Sequence, residues 1–184
     1  CPMNQCMLRH KSALSNTELA HLWRELRSSG TASAVFYGGQ VHDEYEFVNL
    51  VRLHCNHFWA VYWKGHPAGF VWLNDMREKS ARVHFAFFRN AWGRGPEAPS
   101  IILARFMNAT LLRLKDANGE YMLDMLYGFT PKRNQIAIKR MQLTGVVIQG
   151  EIPHGAWFAD TGKSEDAVFS TVTRESTEEA WLDA

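Results

Sequence analysis

The stretch Trp92-Gly93-Arg94-Gly95-Pro96-Glu97-Ala98 decides how we interpret the fold, because it joins a strand-like run to a long apolar helix pattern. Glycine permits positive φ angles and close backbone approach, and proline is common in the first turn of a helix. The free N–H groups of that turn carry partial positive charge. The stretch therefore predicts a turn that can bind an anion such as a pyrophosphate without a lysine. A helix that only needed a glycine turn and a proline would show the same pattern.

The chain around this turn alternates between strand and helix patterns. Arg82 to Phe88 is an aromatic strand-like run before the turn. Apolar residues at i, i+3 and i+4 predict a helix from about Glu97 to Lys115, which Ala117-Asn118-Gly119 ends. The elements predicted after it are a strand over Tyr121 to Tyr127, a helix over Lys132 to Leu143, and strands over Val146 to Gln149 and Asp166 to Thr173.

The first third of the chain predicts two helices and a hairpin. Ser15 with Glu18, and Asp43 with Glu46, are capping-box patterns that begin amphipathic runs. The second run would place His54 and Cys55 on its apolar face. The strand-like runs 58–63 and 68–73 flank a Gly/Pro turn. Early hairpins followed by crossover helices predict an α/β (α+β) class with a mixed sheet and flanking helices.

Composition limits the possible functions. With 184 residues and 46% hydrophobic content, one domain over 1–184 with a short tail at 176–184 is expected. The formal charge is +1 and no long block of like charge occurs, so we expect no nucleic-acid or membrane partner. Three cysteines (Cys1, Cys6 and Cys55) without paired spacing favour a cytoplasmic protein without disulfides. A homodimer is the assembly we consider.

A second motif makes the interpretation of the glycine turn more specific. Asn134-x-x-Ala137 starts a predicted helix, and Gly145-Val146 follows it. Together with the first stretch, this spacing resembles the acyl-CoA site of the GNAT superfamily of N-acetyltransferases, over roughly residues 15 to 175. The segment Gly128-Phe129-Thr130-Pro131-Lys132-Arg133-Asn134 is similar to one in GNAT-like proteins of phages and prophages.

The resemblance implies a fold, a reaction and a donor site. The fold is a mixed, mainly antiparallel GNAT-like central sheet, and the donor is acetyl-CoA, entering between the strands 82–88 and 121–127. The acceptor is an amine of unknown identity, in a pocket shaped by residues 37–57. The residues implied to contact the cofactor are Phe87, Phe88, Gly93, Arg94, Gly95, Pro96, Glu97, Ala98 and Asn134.

Three positions depart from the family pattern. Trp92 occupies the usual arginine position of the glycine loop, and Glu97 or Ala98 occupies the final small position. Met141 stands seven residues after Asn134, where many members have a tyrosine that protonates the leaving thiolate. A thioether has no proton to give. These departures leave open a GNAT fold that has lost catalysis and serves as a binding or phage-associated accessory protein.

His84 is the best candidate catalytic base on the strand before the loop, and Tyr127 and Asp124 are further options on the next strand. Strand alternation places His84 on the face opposite Phe85. A hydrogen-bonded structural histidine fits the same pattern. We expect no metal site, because the sequence His54-Cys55-Asn56-His57 lacks a second ligand pair.

A third alternative uses the end of the chain. Trp181 lies on an acidic tail that could fold back or dock on a partner protein.

Overall fold

A seven-stranded sheet forms the centre of the protein. A computed structural model describes residues 2–182. The strands follow the order β1-β2-β3-β4-β5-β7-β6 in space, and all neighbouring pairs are antiparallel except β4 with β5, which is parallel. This confirms the predicted mixed, mainly antiparallel sheet. The strands are β1 (Cys6–His10), β2 (His57–Trp63), β3 (His66–Arg77), β4 (Ser80–Phe87), β5 (Met125–Pro131), β6 (Val147–Phe158) and β7 (Lys163–Thr173).

Helices cover both faces of the sheet. Single 3-10 turns occur at Pro2–Gln5, Lys11–Ala13, Arg89–Ala91 and Gln142–Thr144. The α-helices are α1 (Asn16–Ser28), α2 (Ala32–Val35), α3 (Glu44–Arg52), α4 (Pro99–Leu111), α5 (Gln135–Met141) and α6 (Arg174–Leu182). None of the helices within residues 2–182 combines the length and apolar character needed to span a bilayer.

Local sequence signals explain where the first helices begin. The Ser15 side chain accepts from the Glu18 amide while the Glu18 carboxylate accepts from the Ser15 amide, so the predicted capping box is present at α1. The Asp43 side chain caps α3 in the same way through the Glu46 amide. The α4 helix has no side-chain cap and begins at Pro99, whose ring suits a first helical position.

Alternation along the strands divides the core into two layers. On one face, α4 packs Leu103 and Met107 against Val71 and Leu126 of the sheet. On the other face, α1 to α3 contribute a largely aromatic cluster. Its buried aromatic members are Trp23, Phe36, Phe47, Phe58, Tyr62, Phe70, Trp72 and Phe88. Because side chains of a strand point alternately up and down, one strand feeds both layers.

The structure differs from the sequence prediction in several strands. β1 is absent from the prediction, and β5 covers 125–131 where a strand over 121–127 is predicted. Pairing with β7 keeps this segment extended through Gly128 to Pro131. β6 continues to Phe158, although Val146 to Gln149 alone is predicted. β6 is an edge strand, so it tolerates Pro153 and the bulges that accompany its glycines.

The helices differ from the prediction mainly at their ends. The α4 helix begins at Pro99 and ends at Leu111, so Glu97 belongs to the preceding loop. The α3 helix ends at Arg52, which leaves His54 and Cys55 in an exposed turn. The segment after β7 is the helix α6, which packs on α4. Cys1, for which we expected no disulfide, lies outside the described residues, as do the last two residues of the tail.

Candidate active site

A cleft opens where β4 and β5 separate. The two strands pair at three positions, Ser80–Arg82 with Met125–Tyr127. Beyond them β4 runs on to Phe87 and β5 to Pro131 without pairing to each other. A cavity of about 610 Å³ occupies the opening and reaches both faces of the sheet. The cavity is therefore a passage through the sheet. Its lining includes Ser100, Asn134 and Arg140 on the α4 and α5 side and Tyr37, Trp72 and His84 on the other side.

The glycine loop lies at the α4 end of this cavity. Residues 92–97 are exposed, and Gly95 has a φ of 74°, which requires the conformational freedom of glycine. The amides of Gly93, Arg94, Gly95 and Glu97 donate to no acceptor within residues 2–182. These amides precede the 13-residue helix α4. The local geometry therefore provides free N–H groups and a helix N-terminus for an anion.

Arg140 is a site residue that sequence reasoning missed. It extends from α5 to the glycine loop, where its guanidinium donates to the Gly93 carbonyl at 2.6 Å and to the Ser100 hydroxyl at 2.5 Å. It has no carboxylate partner within residues 2–182, and it lines the cavity. It therefore supplies a cation beside a loop whose usual arginine position holds Trp92. A basic residue on the same helix face as Ala137 was the available sequence signal.

The loop residues that depart from the family pattern do not fill the cavity with charge. Glu97 is exposed, so its carboxylate points to solvent. The Trp92 indole is 42% exposed, and its Nε1 donates to the Phe87 carbonyl at 2.9 Å. Trp92 and Gly93 line the cavity, whereas the side chains from Arg94 to Ala98 lie outside its lining.

The two phenylalanines before the loop have different positions. Phe87 lines the cavity. Phe88 is fully buried in the other layer, where its ring lies 6.0 Å from that of Phe70. Successive residues of an extended segment face opposite ways, which places the Phe88 side chain in the aromatic layer. The Phe88 side chain therefore belongs to the core.

Asn134 and Met141 line the cavity from α5. The Asn134 side chain caps this helix by accepting from the Ala137 amide at 3.3 Å, so the Asn-x-x-Ala spacing has a structural role. Met141 is 7% exposed. Its thioether faces the cavity without offering a proton.

His84 lies on the face of β4 opposite Phe85, as alternation predicts, and its imidazole stacks on Trp72 at 4.5 Å. A chain of amides orients the ring. Asn56 Nδ2 donates to the Leu50 carbonyl, Asn74 Nδ2 donates to Asn56 Oδ1 at 3.4 Å, and Asn74 Oδ1 lies 2.9 Å from His84 Nε2. The direction of these donors assigns the proton to Nε2 and leaves Nδ1 as an acceptor.

The environment keeps His84 neutral. Burial, together with the positive charge of Arg82, lowers the pKa of His84 to about 3. A histidine with this pKa accepts hydrogen bonds at neutral pH but is a weak base.

Tyr127 forms a second polar group on the same side of the cleft. Its hydroxyl donates to Asp75 Oδ2 at 2.5 Å. Burial, with a further contribution from the Asp75 carboxylate, raises the pKa of Tyr127, and the Tyr127 hydrogen bond followed by the Arg77 ion pair lowers the pKa of Asp75. The Asp124 carboxylate, the further option, pairs with Arg174 at 2.6 Å and is not among the residues that line the cavity.

No group of three histidine, cysteine, aspartate or glutamate side chains suited to a metal occurs in the described part of the chain.

The likeness of this chain to known proteins lies in its structure. No protein-family model and no curated protein matches the sequence. Solved structures of N-acetyltransferases do match it across nearly their whole length. The chain has the GNAT fold.

Three of these structures illustrate the likeness. A spermidine N-acetyltransferase from Vibrio cholerae, in complex with CoA and spermine, has a TM-score of 0.67 and 16% identity, covering 95% of this chain and 99% of that one. A ribosomal-protein-S5-alanine acetyltransferase from Vibrio fischeri has a TM-score of 0.66 and 16% identity over 93% and 94%. A ribosomal L7/L12 alpha-N-protein acetyltransferase in its apo form has a TM-score of 0.71 and 13% identity over 92% and 90%. At these identities the likeness establishes the GNAT fold alone.

Proposed function

We propose that this protein is an acyl-CoA-dependent N-acyltransferase that transfers an acetyl group from acetyl-CoA to a primary amine by direct attack. The observation that carries the proposal is the passage between β4 and β5, which has free loop amides and Arg140 at one end and His84 at the other. Structures with the same fold include one in complex with CoA and spermine and others named as protein acetyltransferases, which supports this reaction class.

The donor would bind through its phosphates and its extended arm. The loop amides and the α4 N-terminus would receive the pyrophosphate, with Arg140 as the neighbouring cation. The pantetheine arm would pass between β4 and β5 beside Asn134, whose cap position holds it at the cavity wall. Phe87 and Met141 would form apolar contacts along this path.

The reaction needs a neutral amine nitrogen at the thioester carbonyl carbon. The C–N bond forms, the C–S bond breaks, the amine loses a proton and the CoA thiolate gains one. His84 Nδ1 can accept a hydrogen bond from the amine, but with a pKa of about 3 it would orient the nucleophile more than deprotonate it. With Met141 in the acid position, the thiolate leaves unassisted; a thiol pKa of about 8.5 makes this feasible near neutral pH.

A GNAT-fold binding protein without catalysis is the second candidate. Met141 at the cavity wall is the observation that favours it, since a general acid contributes roughly 10²- to 10⁴-fold to rate. The similarity of the segment 128–134 to phage and prophage proteins belongs to this alternative and stays a prediction. Three further expectations also stay predictions: a single domain, a homodimer and a cytoplasmic location.

The experiment that tests the proposal is the thermal midpoint with acetyl-CoA, ATP or no ligand. A ligand at 100 times its dissociation constant adds about 2.7 kcal/mol to the free energy of unfolding, which corresponds to roughly 5–10 °C here. We expect acetyl-CoA to give a clear shift that ATP does not match. Arg140→Gln should weaken this binding about tenfold or more, because it removes a charge-assisted contact.

Lys139→Gln is the matched control, because Lys139 is exposed on the same helix and lies outside the cavity lining. It should leave the shift unchanged. No shift with millimolar acetyl-CoA would refute the proposal. A shift without release of CoA thiol in the presence of any amine would favour the binding protein.

A further inference from the structure

Arg82 is the most unusual charged residue of the cleft. It occupies the last position at which β4 pairs with β5, opposite Tyr127, and it lines the cavity on the side of His84. Its guanidinium lies over the Phe129 ring at 5.0 Å. No hydrogen bond or ion pair within residues 2–182 satisfies it, and its Nε atom is buried. The residue as a whole is half-buried, and a buried polar nitrogen without a partner is costly.

A second polar atom at this cavity is in the same state. Thr31 Oγ1 is buried and has no hydrogen-bond partner. Among the described residues, these are the two buried side-chain polar atoms left unsatisfied, and both residues line the same cavity. Buried polar groups are normally paired, so each exception asks for a missing partner. Both residues line the cavity, so a ligand that accepts hydrogen bonds would be stabilised there once either side chain turns towards it.

The charged side chains around the cavity indicate the sign of the charge on the ligand group. No aspartate or glutamate side chain from the described residues lines it. Two carboxylates outside the lining already have partners: Asp75 accepts from Tyr127 and pairs with Arg77, and Glu165 pairs with Arg133. Arg82 and Arg140 therefore remain as charges without a carboxylate partner, one at each end of the passage. The Asp75 carboxylate is close enough to Arg82 for the Arg82 charge to contribute to the lowered pKa of Asp75, but Asp75 does not line the cavity.

Arg140 and Arg82 lie at opposite ends of the passage, so they would contact different substrates. Arg140 belongs to the glycine-loop end, where the donor phosphates would bind. Arg82 lies two residues from His84 on the same strand face, with the aromatic rings of Tyr37, Trp72 and Phe129 among the lining residues. Arg guanidinium binds a carboxylate through two parallel hydrogen bonds and so orients it.

We infer that the amine acceptor carries a carboxylate that pairs with Arg82, so that the acceptor is an amino acid or a similar amino-carboxylate and not a polyamine. This inference rests on the proposed function and specifies the substrate class of the same site. Thr31 is a further residue of the cavity lining that carries a hydroxyl. With the carboxylate on Arg82, the amine end is directed along β4 towards His84.

Matched pairs of acceptors test the inference. The rate of CoA release with acetyl-CoA is measured for L-alanine, L-leucine and L-phenylalanine, for their carboxamides, and for spermidine. We expect kcat/KM for at least one acid to exceed that for its amide by about 10- to 100-fold, the range of a charge-assisted pair. Arg82→Gln should lower kcat/KM for the acid more than for its amide, so that the preference is abolished. Arg82→Lys should retain part of the preference.

Arg24→Gln is the control, because Arg24 is an exposed residue of α1 that pairs with Glu44 outside the cavity. It should keep the preference of the wild type. A loss of rate on acids and amides alike in Arg82→Gln would assign Arg82 to the structure of the sheet and overturn the inference. A wild-type preference for amides or spermidine would also overturn it and would leave the proposed acyl transfer standing.

Ligand binding tests the inference about the acceptor even if no turnover is detected. The thermal midpoint is measured with 10 mM of each acid or its amide and no acetyl-CoA. Protection by an acid but not by its amide, lost in Arg82→Gln, supports the inference. Equal protection, or none, contradicts it. Failure of the proposed function is recognised separately, from the absence of an acetyl-CoA shift.

Discussion

His84 shows how the surroundings of one side chain change its chemistry. The ring stacks on Trp72 and its Nε2 is held by Asn74, which keeps it half-buried and neutral. Burial lowers its pKa to about 3, far below the value of about 6.5 for an unfolded chain. Between these two values the unfolded chain binds a proton that the folded chain does not, so protonation favours unfolding.

We therefore expect His84 to reduce the free energy of unfolding as pH falls from about 6.5 towards 3, by at most about 1.4 kcal/mol per pH unit. His84→Gln removes this titration, so the variant should show a flatter decline over the same range. The measurement is urea unfolding of both proteins between pH 7 and pH 4. Burial also lowers the pKa of His10, which is common to both proteins, so their difference isolates His84.

Parallel pH curves for the two proteins would show that His84 titrates normally in the folded state. That result would support His84 as a catalytic base of ordinary strength. A flatter curve for His84→Gln would instead support a neutral hydrogen-bond acceptor.

At the scale of elements, the pairing of β3 with β4 positions one wall of the cleft. Gly69 pairs with Phe87, and a Cβ at Gly69 would lie 2.2 Å from the Ala86 carbonyl oxygen and 3.1 Å from Phe87 Cα. Both contacts are with backbone, which cannot yield as a flexible side chain does. Glycine at this position therefore lets β4 approach β3 closely just before the glycine loop.

We expect Gly69→Ala to lower the free energy of unfolding by about 1–3 kcal/mol, the cost of a forced backbone shift. It should also reduce the thermal shift with acetyl-CoA, because the displaced end of β4 forms the cleft. Gly150→Ala in β6 is the control: a Cβ there meets no atom within 4 Å. Equal stability of the two variants in urea unfolding would show that β4 tolerates the added methyl group.

At the scale of the whole molecule, the end of the chain closes the layer that contains α4. The α6 helix packs on α4, and a Cβ at Gly145 would lie 2.9 Å from the Ser176 carbonyl oxygen. Arg105 of α4 is 6% exposed and lies beneath the Trp181 ring at 5.8 Å. The tail therefore folds back, which the sequence left undecided.

Trp181→Ala should lower the free energy of unfolding by about 1–3 kcal/mol, because it uncovers the Arg105 guanidinium and removes apolar contact. Trp157→Ala is the matched control, since Trp157 is 51% exposed on β6 and should change stability by less than about 0.5 kcal/mol. Differential scanning calorimetry of the two variants measures both. If Trp181→Ala is neutral while assembly changes, the docking alternative for the tail gains support.

The local elements with strong signals were predictable from sequence. The capping box at Ser15, the cap at Asp43 and the apolar spacing of α4 depend on residues within one or two turns. Strand alternation also placed His84 and Phe85 on opposite faces. Helix and hairpin signals of this kind are local, so the sequence alone contains them.

The amino-acid sequence by itself determined the α/β class, the glycine turn before α4 and the presence of a helix near Asn134. Tertiary structure alone decided the extent of β1 and β6. Their sequence patterns are weak, and pairing with neighbouring strands keeps these segments extended. It also decided that Arg82 and Thr31 share one cavity and that Arg140 reaches the glycine loop. These groups are far apart in the chain, and their meeting depends on strand pairing and packing that no local pattern encodes.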